Sequence, residues 1–154
     1  RLPFTAPPIL ACGAELKNTV CLTKADQGFL SQHIGDLENL STYEFFQKTI
    51  AHMQRILAVR PEIIACDLHP DYLSTRWAEE QAGLPRVRVQ HHHAHVVSCM
   101  AEHRLEGSVI GLSDWPIAGR AAAPSASTTS KMTMERKVFM QCSPVVVVAI
   151  NLVP

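Results

Sequence analysis

Histidine is the residue type whose distribution in this sequence first indicates chemistry. Four of the eight histidines fall within five residues, in the run His91-His92-His93-Ala94-His95. Because an α-helix has about 3.6 residues per turn, His91 and His95 would project from one helical face about 5–6 Å apart, close enough to share a metal ion. Neutral imidazole nitrogen suits zinc or iron(II), and a carboxylate or water would complete the ligand shell. The spacing therefore predicts a divalent metal site with His91 and His95 as ligands.

A cluster of histidines also has two ordinary explanations, an expression tag and a set of surface or hydrogen-bonded core positions. A tag lies at a terminus between flexible residues, whereas this run lies between a predicted strand and a predicted amphipathic helix. Surface or core positions stay open as the alternative to metal binding. The run lacks the glutamate of the zinc protease motif H-E-x-x-H, because His92 stands at that position, so peptide hydrolysis is disfavoured.

Polar residues beside a second strand end form another set of candidates. Asp67, His69 and Asp71 adjoin a predicted strand at residues 62–68. Ligand sites in α/β sheets form at the carboxyl ends of strands, where the histidine run also begins. Asp67 and His69 are therefore candidates for substrate contact, although a structural role is the ordinary one for any single residue of such a loop.

Lys17 and Asn18 are candidates for contact with a phosphate group. They lie in a segment that joins two short apolar runs, where forming the turn itself is the ordinary role. The sequence contains neither a P-loop motif nor the glycine-rich fingerprint of a dinucleotide-binding fold, so neither kind of phosphate cradle is supported.

Composition excludes several classes of protein. The 154 residues include 14 basic and 14 acidic side chains, and this balance argues against a nucleic-acid binder, which shows a basic excess. The longest apolar run covers residues 145–150, far short of the roughly 20 residues that span a bilayer. The five cysteines are scattered without a C-x-x-C pair, which fits reduced thiols. We therefore expect a soluble cytoplasmic protein with no nucleic-acid or membrane partner.

The elements that must position the histidines begin with a hairpin and a long helix. Short apolar runs at residues 9–12 and 19–23 indicate two strands of a β-hairpin. Ser41 followed by Glu44 is a capping box that would begin a helix, and Pro61 would close it. The apolar face of this helix consists of Phe46, Ile50, Met53 and Leu57.

Strands and helices then alternate up to the histidines and beyond them. The remaining predicted elements are a strand at 62–68, a helix from Ser74 to Ala82 stopped by Gly83, a strand at 86–89, a helix from about 92 to 103 and a strand at 109–112. The order β-β-α-β-α-β-α-β predicts an α/β fold with a mixed sheet and flanking helices.

The chain changes character near Ser113. Residues 114–154 contain no histidine and include a tract of small and polar residues at 120–130. Such a tract cannot bury enough apolar surface to offset the entropy lost on ordering. We therefore divide the chain into an α/β unit at residues 1–113 and an irregular tail at residues 114–154.

Four segments in order resemble the hydrogenase maturation carbamoyltransferase family HypF. They are ACGAELKNTV at residues 11–20, SQHIGDLEN at 31–39, CDLHPDY at 66–72 and VQHHHAH at 89–95. The resemblance covers roughly residues 2–113. It corresponds to the start of the family's last module, which is similar to the TsaD-type (Kae-like) tRNA threonylcarbamoyl transferases.

The resemblance implies a fold and a reaction. The fold would be ribonuclease H-like (actin-like), in which two lobes close over a nucleotide, and this chain would hold part of one lobe. Carbamoyl phosphate and ATP, with magnesium, would form carbamoyl adenylate. The carbamoyl group would then pass to the C-terminal cysteine of a HypE-type partner. His91 and His95 match the family's metal ligands, and His92 and His93 are candidates for supporting those ligands or for contacting substrate.

The sequence departs from the family pattern after Ser113. The family continues with a Phe-Asp-Gly-Thr-Gly loop, whereas this chain continues Asp114-Trp115-Pro116. Trp and Pro cannot reproduce a Gly-Thr-Gly turn that contacts phosphates through backbone N–H groups. We therefore expect a truncated or frameshifted fragment that is inactive alone. The alternatives are a non-catalytic metal-binding or assembly module that needs a partner chain, and a poorly folded product without function.

Overall fold

The computed structural model of the chain describes residues 5–103, 105, 107–113 and 128–134. Its elements are β1 (Ile9–Ala11), β2 (Cys21–Lys24), β3 (Gln27–Leu30), α1 (Leu40–Leu57), β4 (Ile63–Asp67), α2 (Leu73–Glu80), β5 (Arg86–Val89), α3 (His91–Glu102), β6 (Gly107–Ser113) and β7 (Thr128–Met134). None of the helices in these ranges has the length and hydrophobicity needed to span a bilayer.

Five strands form one mixed sheet in the order β3-β2-β1-β4-β5. Strand β2 is antiparallel to both of its neighbours, β1 and β3, whereas β4 and β5 run parallel to β1. The hairpin of β1 and β2, the alternation of strands and helices and the mixed sheet confirm the predicted α/β fold. This strand order, with an antiparallel half and a parallel half, is that of a ribonuclease H-like lobe.

The two central strands are buried on both faces. All three residues of β1 are at most 1% exposed, and Ile64, Ala65 and Cys66 of β4 are fully buried. Strands covered on both faces read as continuous apolar runs, which is why β1 and β4 could be recognised from the sequence. The buried strand β4 ends at Asp67 and so places this carboxylate at the carboxyl edge of the sheet.

Helix α1 begins two residues earlier than the capping box predicted. The Oδ1 atom of Asn39 accepts hydrogen bonds from the backbone N–H and the hydroxyl of Ser41, so Asn39 is the N-cap and Ser41 lies inside the helix. Asparagine is at least as favourable an N-cap as serine, so the helix begins after Asn39 rather than after Ser41. The helix ends at Leu57, and Ala58 adopts a left-handed conformation with φ of 51° before the turn to β4.

Helix α2 also differs from its prediction. Ser74 lies inside the helix and is buried, and its hydroxyl donates to the carbonyl of Gly13 rather than to the helix end. The helix ends at Glu80, and Gly83 occupies the following turn with φ of 83°. Ser74 is therefore a tertiary contact between α2 and the β1–β2 loop.

Two strands were absent from the sequence prediction. Strand β3 pairs with β2 at one edge of the sheet, and β7 pairs with β6 in a separate two-stranded ribbon. Residues 128–134 form β7 within the segment predicted as an irregular tail; the rest of that segment lies outside the described residues.

Candidate metal centre

The carboxyl ends of β4 and β5 bring the predicted site together. Asp67, the last residue of β4, is in register with Val89, the last residue of β5. Gln90 is the single residue between β5 and the start of α3 at His91. Because parallel strands end at the same edge of a sheet, Asp67 and His91 meet although 24 residues separate them in sequence.

Asp67 holds the ring of His91. The Nδ1 atom of His91 lies 2.7 Å from Oδ2 of Asp67, and the side chains of Asp67 and His91 are 1% and 19% exposed. The other carboxylate oxygen accepts the backbone N–H of His69 at 3.0 Å. An ionised carboxylate only accepts hydrogen bonds, so the proton of neutral His91 resides on Nδ1. The lone pair of His91 is therefore on Nε2.

The Nε2 atom of His91 faces its predicted partner. It lies 3.0 Å from Nε2 of His95, with 4.7 Å between the ring centroids. Two nitrogens bound at about 2.0–2.1 Å to one ion, in adjacent coordination positions, lie about 3 Å apart. The pair therefore fits a shared divalent ion, and the hydrogen bond from His91 to Asp67 is the support that metal-binding histidines usually receive from a carboxylate.

The surroundings of His95 favour its neutral form. Burial lowers the pKa of His95, and the neighbouring His91 and His92 lower it further, while Asp67 opposes them. A metal ion binds imidazole only when the ring nitrogen is deprotonated. The lowered pKa therefore suits His95 to a ligand role at neutral pH.

His92 and His93 share one neighbour, the side chain of Gln90. Gln90 contacts both of them: its side chain lies 3.1 Å from Nδ1 of His92, and it accepts the backbone N–H of His93 at 2.7 Å. Burial lowers the pKa of the His93 side chain. The Gln90 contacts thus order the first turn of α3.

His69 lies beside the centre, in the loop after β4. Its ring stacks on Tyr72 with 4.4 Å between centroids, and Tyr72 meets the ring of His91 edge-on at 6.5 Å. The Nδ1 atom of His69 accepts the backbone N–H of Asp71 at 3.3 Å. His69 therefore supports Tyr72 at the margin of the site.

Lys17 and Asn18 occupy the β1–β2 loop in different ways. Lys17 is exposed, whereas Asn18 is fully buried. The side-chain amide of Asn18 donates to the carbonyl oxygens of Cys12 and Ala14, which holds the loop in shape. Oδ1 of Asn18 is buried without a hydrogen-bond partner.

Glu15 and Gln90 contribute to the site region without having been singled out in the sequence. Glu15 is 6% exposed, and its Oε2 accepts the backbone N–H of Leu73 at 2.8 Å, which satisfies the start of α2. Burial raises the pKa of Glu15 although hydrogen bonds from Leu73 and Ser74 oppose the rise. The sequence could have indicated Gln90, because this residue stands between a predicted strand and a predicted helix.

The two predicted ligands, His91 and His95, lie together without a third potential ligand among the described residues. Among the described residues, no group of three or more histidine, cysteine, aspartate or glutamate side chains is arranged to hold one metal ion. Asp67 is engaged with His91 and His69, so it supports the pair from behind. The described part of the chain thus brings together a pair of histidines, a candidate half-site for an ion.

The fold and the site together define a ribonuclease H-like lobe with a histidine pair, supported by a carboxylate, at the carboxyl edge of its sheet. The sequence profile of the HypF Kae1-like domain matches residues 4–102. The chain belongs to this family, as the resemblance of its four motifs predicted.

Relatives agree with this assignment. The chain is 50% identical over 115 residues to carbamoyltransferase HypF2 of Cupriavidus necator, a match that covers 73% of this chain and 14% of that protein. It is 53% identical over 106 residues to carbamoyltransferase HypF of Rhizobium leguminosarum bv. viciae, covering 69% of this chain and 14% of that protein. The chain thus spans about one seventh of the length of these relatives.

Solved structures show the same fold. The crystal structure of full-length HypF in its phosphate- and nucleotide-bound form superposes with a TM-score of 0.68 at 45% identity, covering 72% of this chain and 18% of that one. The crystal structure of T. kodakarensis HypF superposes with a TM-score of 0.63 at 39% identity, covering 72% of this chain and 15% of that one.

Proposed function

We propose that this chain supplies part of one lobe of a carbamoyltransferase that uses carbamoyl phosphate and ATP to carbamoylate the C-terminal cysteine of a HypE-type partner. In this proposal the reaction passes through carbamoyl adenylate, and the chain contributes a half-site for a divalent ion, zinc or iron. The contact that carries the proposal is the Asp67–His91–His95 arrangement at the carboxyl edge of the sheet.

The roles of these residues follow from their hydrogen bonds. Asp67 keeps the proton of His91 on Nδ1 and fixes the ring plane, so that Nε2 of His91 is the ligand atom. His95 supplies the second nitrogen from one helical turn further along α3. A bound divalent ion would act as a Lewis acid and template for phosphoryl or carbamoyl oxygens.

The half-site also supports a second function, that of a non-catalytic metal-binding or assembly module that needs a partner chain. The observation in its favour is that only two ligands converge within the described residues. This function predicts metal binding and a stable complex with a complementary chain. It predicts no carbamoyl transfer by that complex, which separates it from the first proposal.

Zinc binding by the full chain tests the metal part of the proposal. We expect the parent protein to bind Zn²⁺ in isothermal titration calorimetry and the double variant His91→Ala, His95→Ala to lose this binding. The variant Asp67→Asn should weaken binding about 10- to 100-fold, because an amide cannot accept from both His91 and His69.

A double variant at exposed histidines provides the matched control. His52 and His103 lie away from the centre and are exposed, so His52→Ala, His103→Ala removes two imidazoles without touching the half-site. We expect this control to bind Zn²⁺ like the parent. Equal loss of binding in both double variants would show that the ligands are misassigned.

A further inference from the structure

We propose that Gln90 is a positioning residue that fixes the proton of His92 on Nε2 and so makes His92 a hydrogen-bond donor beside the His91–His95 pair. The inference concerns the same site and rests on the proposed function for its biological meaning. It depends on the contacts of one side chain, which joins the end of β5 to the first turn of α3.

The orientation of the Gln90 amide follows from its partners. One end of the amide lies 2.7 Å from the backbone nitrogen of His93. A backbone N–H can only donate, so the atom facing it must be the oxygen, Oε1. The opposite end is then the NH₂ group, which lies 3.1 Å from Nδ1 of His92. The amide therefore cannot be turned over without losing the hydrogen bond from the backbone N–H of His93.

The orientation of Gln90 determines the tautomer of His92. An amide NH₂ group only donates, so Nδ1 of His92 must accept, and a neutral imidazole that accepts at Nδ1 carries its proton on Nε2. Asp67 imposes the opposite arrangement on His91, whose proton is on Nδ1. Adjacent histidines thus receive opposite tautomers from two different neighbours.

The two tautomers make the Nε2 atom an acceptor in His91 and a donor in His92. His91 presents a lone pair at Nε2, which suits a cation, whereas His92 presents an N–H at Nε2, which suits an oxygen carrying negative charge. The ring centroids lie 5.9 Å apart, and in this proposal both groups serve one ligand. The chemical class that fits is a phosphoryl or carbamoyl oxygen held close to a cation. In this proposal Gln90 makes His92 a hydrogen-bond donor, while His91 and His95 remain the ligands of the cation.

Nitrogen NMR of the full 154-residue chain tests the inference. Long-range ¹H–¹⁵N correlation of histidine-labelled protein, at about pH 8 where free imidazole is neutral, distinguishes the two tautomers. The samples contain a chelator and no metal, and His92→Asn identifies the His92 signals. We expect the parent His92 to be protonated on Nε2.

Two substitutions separate positioning from helix capping. In Gln90→Glu the carboxylate still accepts the N–H of His93, but it also accepts from the ring, so the proton of His92 should move to Nδ1. In Gln90→Met both hydrogen bonds are lost, and we expect a mixture of tautomers. If Gln90→Met fails to fold, the parent and Gln90→Glu spectra decide.

The outcomes of this test are independent of metal binding. A parent His92 protonated on Nδ1, or a Gln90→Glu spectrum identical to that of the parent, would overturn the inference whatever the zinc titration shows. Absence of Zn²⁺ binding by the parent would instead count against the proposed function, while the tautomer of His92 would still be read directly.

Discussion

Four histidines of one short run acquire different properties from what surrounds each ring. His91 is held by a carboxylate, His92 by an amide, and His93 and His95 have their pKa values lowered chiefly by burial. The spacing of His91 and His95 was visible in the sequence because a helix dictates it. Their partner Asp67 was recognised as a nearby residue but not as the support of His91, since that contact depends on the register of β4 with β5.

The lowered pKa of His93 predicts that stability depends on pH. Free histidine titrates near 6.5, and burial keeps folded His93 neutral to lower pH. As the pH falls below about 6.5, the unfolded chain binds protons first, so the free energy of unfolding decreases until the pH passes the folded pKa. We expect His93→Gln to lose less stability than the parent between about pH 7 and pH 5 in urea unfolding with chelator present.

The difference between variants is the quantity to measure, because other groups titrate in the same range. Glu15 has a raised pKa, so its contribution has the opposite sign: it favours folding more strongly as the pH falls. His52→Gln at an exposed position serves as the control and should keep the pH dependence of the parent. A His93→Gln chain whose stability changes with pH as much as the control would contradict the prediction.

At the scale of elements, α1 shows how one face of a helix attaches to the sheet. Phe46 is fully buried and meets Trp77 of α2 edge-on at 5.4 Å, whereas the adjacent Phe45 is 41% exposed. The helical spacing that predicted this face is confirmed, since Phe46 and Ile50 are buried and Met53 and Leu57 pack against the same cluster.

The two neighbouring phenylalanines provide a matched pair of substitutions. We expect Phe46→Ala to lower the free energy of unfolding by about 3–5 kcal/mol, because it leaves a cavity between α1 and α2. Phe45→Ala should cost less than about 1 kcal/mol, because its side chain is partly in solvent. Urea unfolding measures both, and equal costs would show that the buried face of α1 is misassigned.

The elements that sequence patterns missed are those decided by tertiary contacts. Strand β3 is four residues long, and none of them is fully buried, so no alternation or apolar run marks it. Ser74 resembles a helix cap in sequence but bonds to Gly13, 61 residues earlier. Local patterns therefore predicted the buried strands and α1 well, and failed where a residue's partner is distant in the chain.

At the scale of the whole molecule, the chain corresponds to about one seventh of its full-length relatives. Its described residues form the five-stranded sheet of a ribonuclease H-like lobe and, in the proposed function, supply two ligands for an ion. We expect the chain alone to show no carbamoyl-phosphate-dependent cleavage of ATP to AMP and pyrophosphate, because a two-ligand half-site binds an ion weakly. A full-length HypF assayed in parallel is the positive control, and activity of the chain above background would refute this prediction.

In the proposed site, the contact between Asp67 and His91 would also link ion binding to folding. The two candidate ligands, His91 and His95, lie one helical turn apart and could meet in an isolated peptide, but the carboxylate that supports His91 is in place only when β5 is paired with β4. An ion that uses this supported pair binds the native chain in preference to the unfolded one, and such preferential binding stabilises the native state by mass action. The measured affinity for the ion would therefore report whether β4 and β5 are paired.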